Sequence, residues 1–202
     1  MAILKHNNNS ISNVTSFALV PSGSPVLLAT STASASASIS FTTGIDSTYD
    51  IYKFEFINIH PQNDTVNFEF NLSTDGGSNY NVTKTSTSFR AQHEEADTDS
   101  LLTYRTSNDL AQSTSFQHLP AGVGNGNDEN SSGTLTLFNP ASTTFVKHFI
   151  SNFNSYLSAD YSINWFIAGY GNTTSAVNAI RFQMSSGNID AGTIKMYGIK
   201  GN

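Results

Sequence analysis

A chain of 202 residues, 38% of them hydrophobic, is long enough to bury one sandwich-sized core and does not call for a second domain. Only 12% of it is charged, the formal net charge is -6 and the Lys and Arg residues are scattered, which excludes a phosphate-backbone binder and so nucleic acid as a partner. Cysteine is absent, so disulfides and thiolate metal sites are excluded, and no apolar run approaches the roughly 20 residues of a membrane-inserting helix.

Met1 to Ser16 is polar and Asn-rich, with Ile3, Leu4, Ile11 and Val14 as sparse apolar points, and no continuous apolar core of a signal peptide is present. It reads as an arm that orders against a neighbouring subunit. Phe17 to Val20 and Val26 to Thr30 flank the turn Pro21-Ser22-Gly23-Ser24-Pro25 and predict a first hairpin. Residues 1–30 are therefore expected to be arm and hairpin, and residues 31–202 the folded body. From Ser31 to Ser40, Ser and Ala alternate into Ile39 and Phe41, a strand period with a thin apolar face.

Tyr49 to Ile59 predicts a strand with Tyr52, Phe54 and Phe56 on one face and Ile51, Ile57 and Ile59 on the other. It is expected to pair with Thr65 to Ser73 across Gln62-Asn63-Asp64. In that second strand Val66, Phe68, Phe70 and Leu72 alternate with Thr65, Asn67, Glu69 and Asn71. Further strands are predicted at Tyr80 to Arg90, Leu101 to Thr106, Thr114 to Leu119, Gly133 to Phe138, Phe145 to Ser151, Ser162 to Tyr170, Val177 to Met184 and Thr193 to Lys200. No helical stripe interrupts them. The fold class expected is all-β, an antiparallel β-sandwich of jelly-roll type with an extended N-terminal arm.

Three segments carry candidate chemistry. Ser73-Thr74-Asp75-Gly76-Gly77-Ser78-Asn79-Tyr80 fits an Asp-box turn: Asp75 accepts backbone N–H groups, Gly76 and Gly77 supply positive φ and Tyr80 packs below. A structural role is expected there, with a sugar or calcium role as the alternative. Arg90 to Asp99 concentrates His93, Glu94, Asp97 and Asp99, which have the donor types for a cation or, more plainly, form a solvated loop. Gly122 to Asn130 reads as a turn-rich tip whose Asn and Asp side chains suit glycan hydroxyls. His6, His60, His118 and His148 stand apart in sequence, and no nucleophile elbow or phosphate loop occurs. No catalytic residue, metal or cofactor is expected.

Ser40-Phe41-Thr42-Thr43-Gly44-Ile45-Asp46-Ser47-Thr48-Tyr49, Asp75-Gly76-Gly77-Ser78-Asn79-Tyr80, Ser185-Ser186-Gly187-Asn188-Ile189 and Gly192-Thr193-Ile194-Lys195-Met196-Tyr197-Gly198-Ile199 together resemble small virion structural proteins of tailed phages, especially marine cyanobacterial phages. The resemblance runs from about Ser31 onward. It implies a β-rich, tail-fibre-like virion component, often trimeric, and supplies no catalytic residues.

The function expected is therefore non-enzymatic: a virion structural protein, tail-fibre or receptor-binding module, synthesised in the host cytoplasm and carried on the tail or capsid surface of the particle. The alternative is a capsid decoration or cement protein. Partners expected are two further copies in a homotrimer, other virion proteins through the arm, and a host cell-surface glycan or protein. Tyr80, Tyr104, Asn125, Asn127, Asp128, Tyr156 and Tyr161 are the candidate contact residues, since aromatic faces stack on sugars and amides take their hydroxyls. A third reading is a polysaccharide depolymerase using Asp97 with Asp128, and a fourth is a free bacterial lectin.

Overall fold

The computed structural model describes residues 23–157 and 160–201, so the arm and the Phe17 to Val20 half of the expected hairpin lie outside the described residues. The described chain is all-β and folds as a sandwich of two antiparallel sheets. The strands are β1 (Val26–Ser36), β2 (Ile39–Phe41), β3 (Ile51–Pro61), β4 (Phe68–Ser73), β5 (Lys84–Glu94), β6 (Ser100–Tyr104), β7 (Gln117–His118), β8 (Asn130–Phe138), β9 (Lys147–Leu157), β10 (Tyr161–Gly171), β11 (Ala179–Met184) and β12 (Ile189–Ile199). The large sheet has the order β1-β12-β3-β8-β9-β10-β5-β6 and the small one β2-β11-β4-β7. The neighbouring pairs β9–β10 and β5–β6 extend the large sheet beyond β8. With those pairs set aside, β1-β12-β3-β8 faces β2-β11-β4-β7, and the chain changes layer at every step except β4–β7.

Alternation explains the layers. In β9, Phe149, Ser151, Phe153 and Ser155 are buried while His148, Ile150 and Asn154 face out. In β10, Ile163, Trp165 and Ile167 point in and Phe166 points out. The Ser/Ala run forms β1 through Ser36, its small side chains paired along β12 at the edge of the large sheet, with Ala33 buried. The two inner faces meet around Phe182, whose ring lies 5.0 Å from Phe56, 5.4 Å from Phe54, 6.0 Å from Phe68, 6.3 Å from Phe41 and 6.4 Å from Phe70. Most of these rings meet edge to face, the arrangement their quadrupoles favour.

Two expectations give way. The strand ending at Ile59 does not form a hairpin with the next: β3 pairs with β12 and β8, whereas β4 pairs with β11 and β7. The connecting residues instead cross between layers, tied by Gln62 N–H to Asn188 O (3.0 Å) and by a bridge between Val66 and Val123. Nor do Ile57 and Ile59 share a face. Asn58 has φ 51 and the register slips on both sides of it, so an added residue reverses the parity: Ile57 is exposed and Ile59 enters the core. Gly192 faces this bulge at φ 124, and a Cβ there would stand 2.7 Å from the Asn58 carbonyl oxygen, so only glycine fits.

Two lysines are buried at the far end of β10. Lys84 and Lys147 are each register partners of Gly171 from opposite sides, and both are fully buried. Lys84 Nζ donates to Asn71 Oδ1 (2.5 Å) and Val82 O (2.9 Å), and Lys147 Nζ donates to Phe145 O (2.6 Å) and Thr173 O (3.3 Å). Every acceptor is neutral.

Candidate functional site

Where the large sheet overhangs the small one, its inner face runs out of apolar cover. Trp165 on β10 is the register partner of Arg90 on β5, and Arg105, just past β6, donates its backbone N–H to Ser88 O (2.8 Å). Strand alternation therefore turns Trp165, Ser88 and Arg90 inward together. Opposite them, β7 brings His118, and the crossing segment before β4 brings Thr65 and Asn67. With Ser107, Asn108, Ala121 and Gly122, the residues Thr65, Asn67, Arg90, Arg105, His118 and Trp165 line an open cavity of about 290 Å³.

Three of its polar atoms are donors without acceptors. Arg90 Nε, Arg105 Nε and Trp165 Nε1 are buried and make no hydrogen bond. The Arg90 guanidinium stands 5.3 Å over the Trp165 ring, a cation–π distance. Burial and the Arg105 charge push its pKa down, and Asp99 opposes them. The Asp99 carboxylate is itself engaged by Gln92 Nε2 (2.7 Å). Asn108 Nδ2 donates to His118 Nδ1 (3.2 Å), which leaves the other ring nitrogen facing Glu69 Oε2 at 3.6 Å. Burial holds the His118 imidazole below its usual range, with Glu69 acting against it.

The candidate contact residues read from sequence fall in three places. Asn125, Asn127, Asp128, Tyr156 and Tyr161 gather at one end of the large sheet, where β8 begins and β9 turns back into β10. Tyr156 donates to Asp160 Oδ1 (2.8 Å), and that bond pushes its phenol up to about 12. Burial and Asp99 raise the pKa of Tyr161. Asn127 lines a second cavity of about 340 Å³ with Asn58, His60, Glu129, Asn130 and Ala191. The Gly122 to Asn130 loop is held by Glu129, which accepts the Gly126 N–H at 2.6 Å, and by Asn125 Nδ2 on Gln62 O (3.1 Å). Tyr104 lies apart on the outer face of β6, its hydroxyl on Asp109 (2.5 Å). Tyr80 lies elsewhere again, with the Arg181 guanidinium 4.1 Å over its ring.

In the acidic segment, His93 Nε2 meets Asp97 Oδ1 at 3.1 Å, and Thr98 donates to Glu94. Among the described residues, no three His, Asp or Glu side chains converge as a metal site.

The Asp75 turn is closed by its own side chains. Asp75 Oδ1 accepts from Ser73 Oγ (2.7 Å) and Asn79 N–H (2.9 Å), and Oδ2 accepts from Asn79 Nδ2 (2.7 Å). Gly76 and Gly77 have φ 71 and 89. The bonds from Ser73 and Asn79 bring the Asp75 carboxyl down to about 2. A folded pKa below the unfolded value means that the turn's contribution is present above pH 3.8 and is lost as pH falls towards 2. Carbon-detected NMR should give an Asp75 midpoint near 2, tracked by the Asn79 amide; an ordinary midpoint near 3.8 would show the turn is not closed this way.

The Arg90–Arg105–Trp165 cavity escaped sequence reading because its parts come from strands and loops far apart in the chain. The available signal was Arg90 in the inward slot after Ser86 and Ser88. No protein-family model, curated protein or solved structure matches this chain.

Proposed function

We propose that the chain is a non-enzymatic structural protein of a phage virion, a tail-fibre or receptor-binding module on the particle surface. The observation that carries this reading is the overhang: the extended sheet leaves a preformed polar cavity open beside the Gly122 to Asn130 loop, which begins at its rim. Recognition sites of this kind are concave, built on a rigid scaffold and furnished with a few aimed polar groups. The interleaved strand order supports the jelly-roll form of the sandwich, and the resemblance of the Ser40, Asp75, Ser185 and Gly192 segments supports a virion setting and a homotrimer. Host contact at this end would involve Asn125, Asn127, Asp128, Tyr156 and Tyr161.

Purified protein mixed with host cells before the phage is expected to slow adsorption by occupying receptors. A variant with the Gly122 to Asn130 loop replaced by a short Gly/Ser linker should compete less well. Unchanged adsorption at saturating protein would overturn receptor binding.

One observation favours capsid decoration as the second reading. On the outer face of the extension, Phe89 and Phe166 stack in parallel at 4.8 Å, and Leu102, Tyr104 and Ile150 are also exposed. Such an apolar strip suits packing on a shell. Under that reading, particles lacking the protein adsorb normally but lose resistance to heat.

A further inference from the structure

The overhang cavity holds two guanidiniums with nothing to pair them. Among the described residues, neither Arg90 nor Arg105 has a carboxylate within ion-pair distance, and neither makes a side-chain hydrogen bond. The chain is not short of partners, since Asp and Glu number 15 against 9 Lys and Arg. Buried donors are almost always satisfied in folded proteins, so the unsatisfied Arg90 Nε, Arg105 Nε and Trp165 Nε1, on three side chains that line one cavity, call for an acceptor from outside the chain. Two like charges held side by side make that acceptor anionic. Guanidinium forks match planar or tetrahedral oxyanions, and the indole N–H can add one further bond but cannot accept.

We propose that the Arg90–Arg105–Trp165 cavity binds an oxyanion, and that its occupant is the carboxylate or sulfate of an acidic sugar. Arg90 and Arg105 take the anionic oxygens and Trp165 Nε1 donates from below. Asn67 and Asn108, whose amides are held against His118, form the adjoining wall. At about 290 Å³ the cavity falls just below the roughly 300–1,000 Å³ usual for ligand pockets, which suits one sugar ring and its anionic group. Glu69, facing His118, limits the total negative charge that the site accepts, which favours a monoanion. The sugar assignment rests on the recognition reading above; the oxyanion assignment does not.

The chain has a single Trp, so its one indole N–H resonance reports directly on the site. Nitrogen-15 NMR titrations would use sodium glucuronate, glucose 6-sulfate, inorganic sulfate, inorganic phosphate and neutral glucose at constant ionic strength. The expected result is a saturable indole shift with glucuronate or glucose 6-sulfate, and none with glucose. Arg105→Gln should weaken that binding at least tenfold while the remaining amide spectrum keeps its dispersion. Arg90→Lys, which keeps the charge but loses the fork, should weaken it several-fold. No indole shift with any anion, an equal shift with glucose, or unchanged affinity in both Arg variants would overturn the oxyanion site. Saturation by inorganic sulfate or phosphate alone, with neither sugar bound, would overturn the acidic-sugar assignment. Because the titration uses no cells, its failure is separable from failure of the adsorption test.

Discussion

Phe182→Ala should lower the unfolding free energy by about 3–5 kcal/mol, the range seen for buried aromatics replaced by alanine. Phe182 is fully buried and borders five other rings contributed by both sheets, so the cavity left behind cannot be closed by moving one neighbour. A domain's total stability is typically about 5–15 kcal/mol, so the loss would bring this one close to its unfolding threshold. Urea denaturation should show the midpoint falling with little change in slope. Phe89→Ala is the control: that ring is exposed and stacks only on Phe166, a pair worth roughly 0.5–1.5 kcal/mol beyond its buried area. Similar losses for the two variants would show that Phe182 does not organise the core.

The protein should become more stable as pH rises from about 7 towards 9.5. Burial brings the Lys84 ammonium down from 10.5 to about 7, and no carboxylate compensates. Between those values the unfolded chain holds a proton that the folded chain has released, so stability increases with pH across the interval. Below about pH 7 both states are protonated and the full penalty remains. Across the interval from pH 7 to 9.5, a folded value of about 7 against 10.5 corresponds to on the order of 3 kcal/mol. Burial lowers Lys147 in the same sense. Tyr52 and Tyr156 are raised, so they act in the opposite direction above pH 10, which is why the measurement stops short of it. Lys84→Met should flatten the slope and be more stable than wild type at pH 6, since Asn71 Oδ1 keeps the Leu72 N–H at 2.9 Å. Parallel pH profiles for the two proteins would remove Lys84 as the cause.

Much of the layer structure could be read along the chain because a half-buried strand declares its inner face locally. Tyr52, Phe54 and Phe56 did so; Phe68, Phe70 and Leu72 mark the core face of β4, but Glu69, Asn71 and Ser73 on its other face are buried as well, so that strand is not half-buried. What could not be read depends on the partner strand. The Asn58 bulge is specified jointly with Gly192, and its reversal of Ile59 follows from a pairing between residues far apart in sequence. The β3–β4 hairpin looked natural because the intervening residues are turn formers, yet turn formers also serve a crossing between layers. Of the contact residues inferred from sequence, those near the Gly122 to Asn130 loop gather at one end, while Tyr80 and Tyr104 are elsewhere. Arg90 and Arg105 are not legible as a pair in the sequence, because basic residues on a weakly charged chain look like solubilising surface until β5 and the segment after β6 bring them to one cavity.

Val26 is opposite Gly198 in the β1–β12 register, so the described chain enters and leaves its large sheet at the same end, while the Gly122 to Asn130 loop lies at the other. An attachment made through either flank would hold that loop outward. The same pairing determines the response to mechanical load. Pulling the two flanks apart would peel β1 from β12 one hydrogen bond at a time, the weak unzipping geometry, whereas pulling from one flank against the loop end would load these hydrogen bonds together in shear.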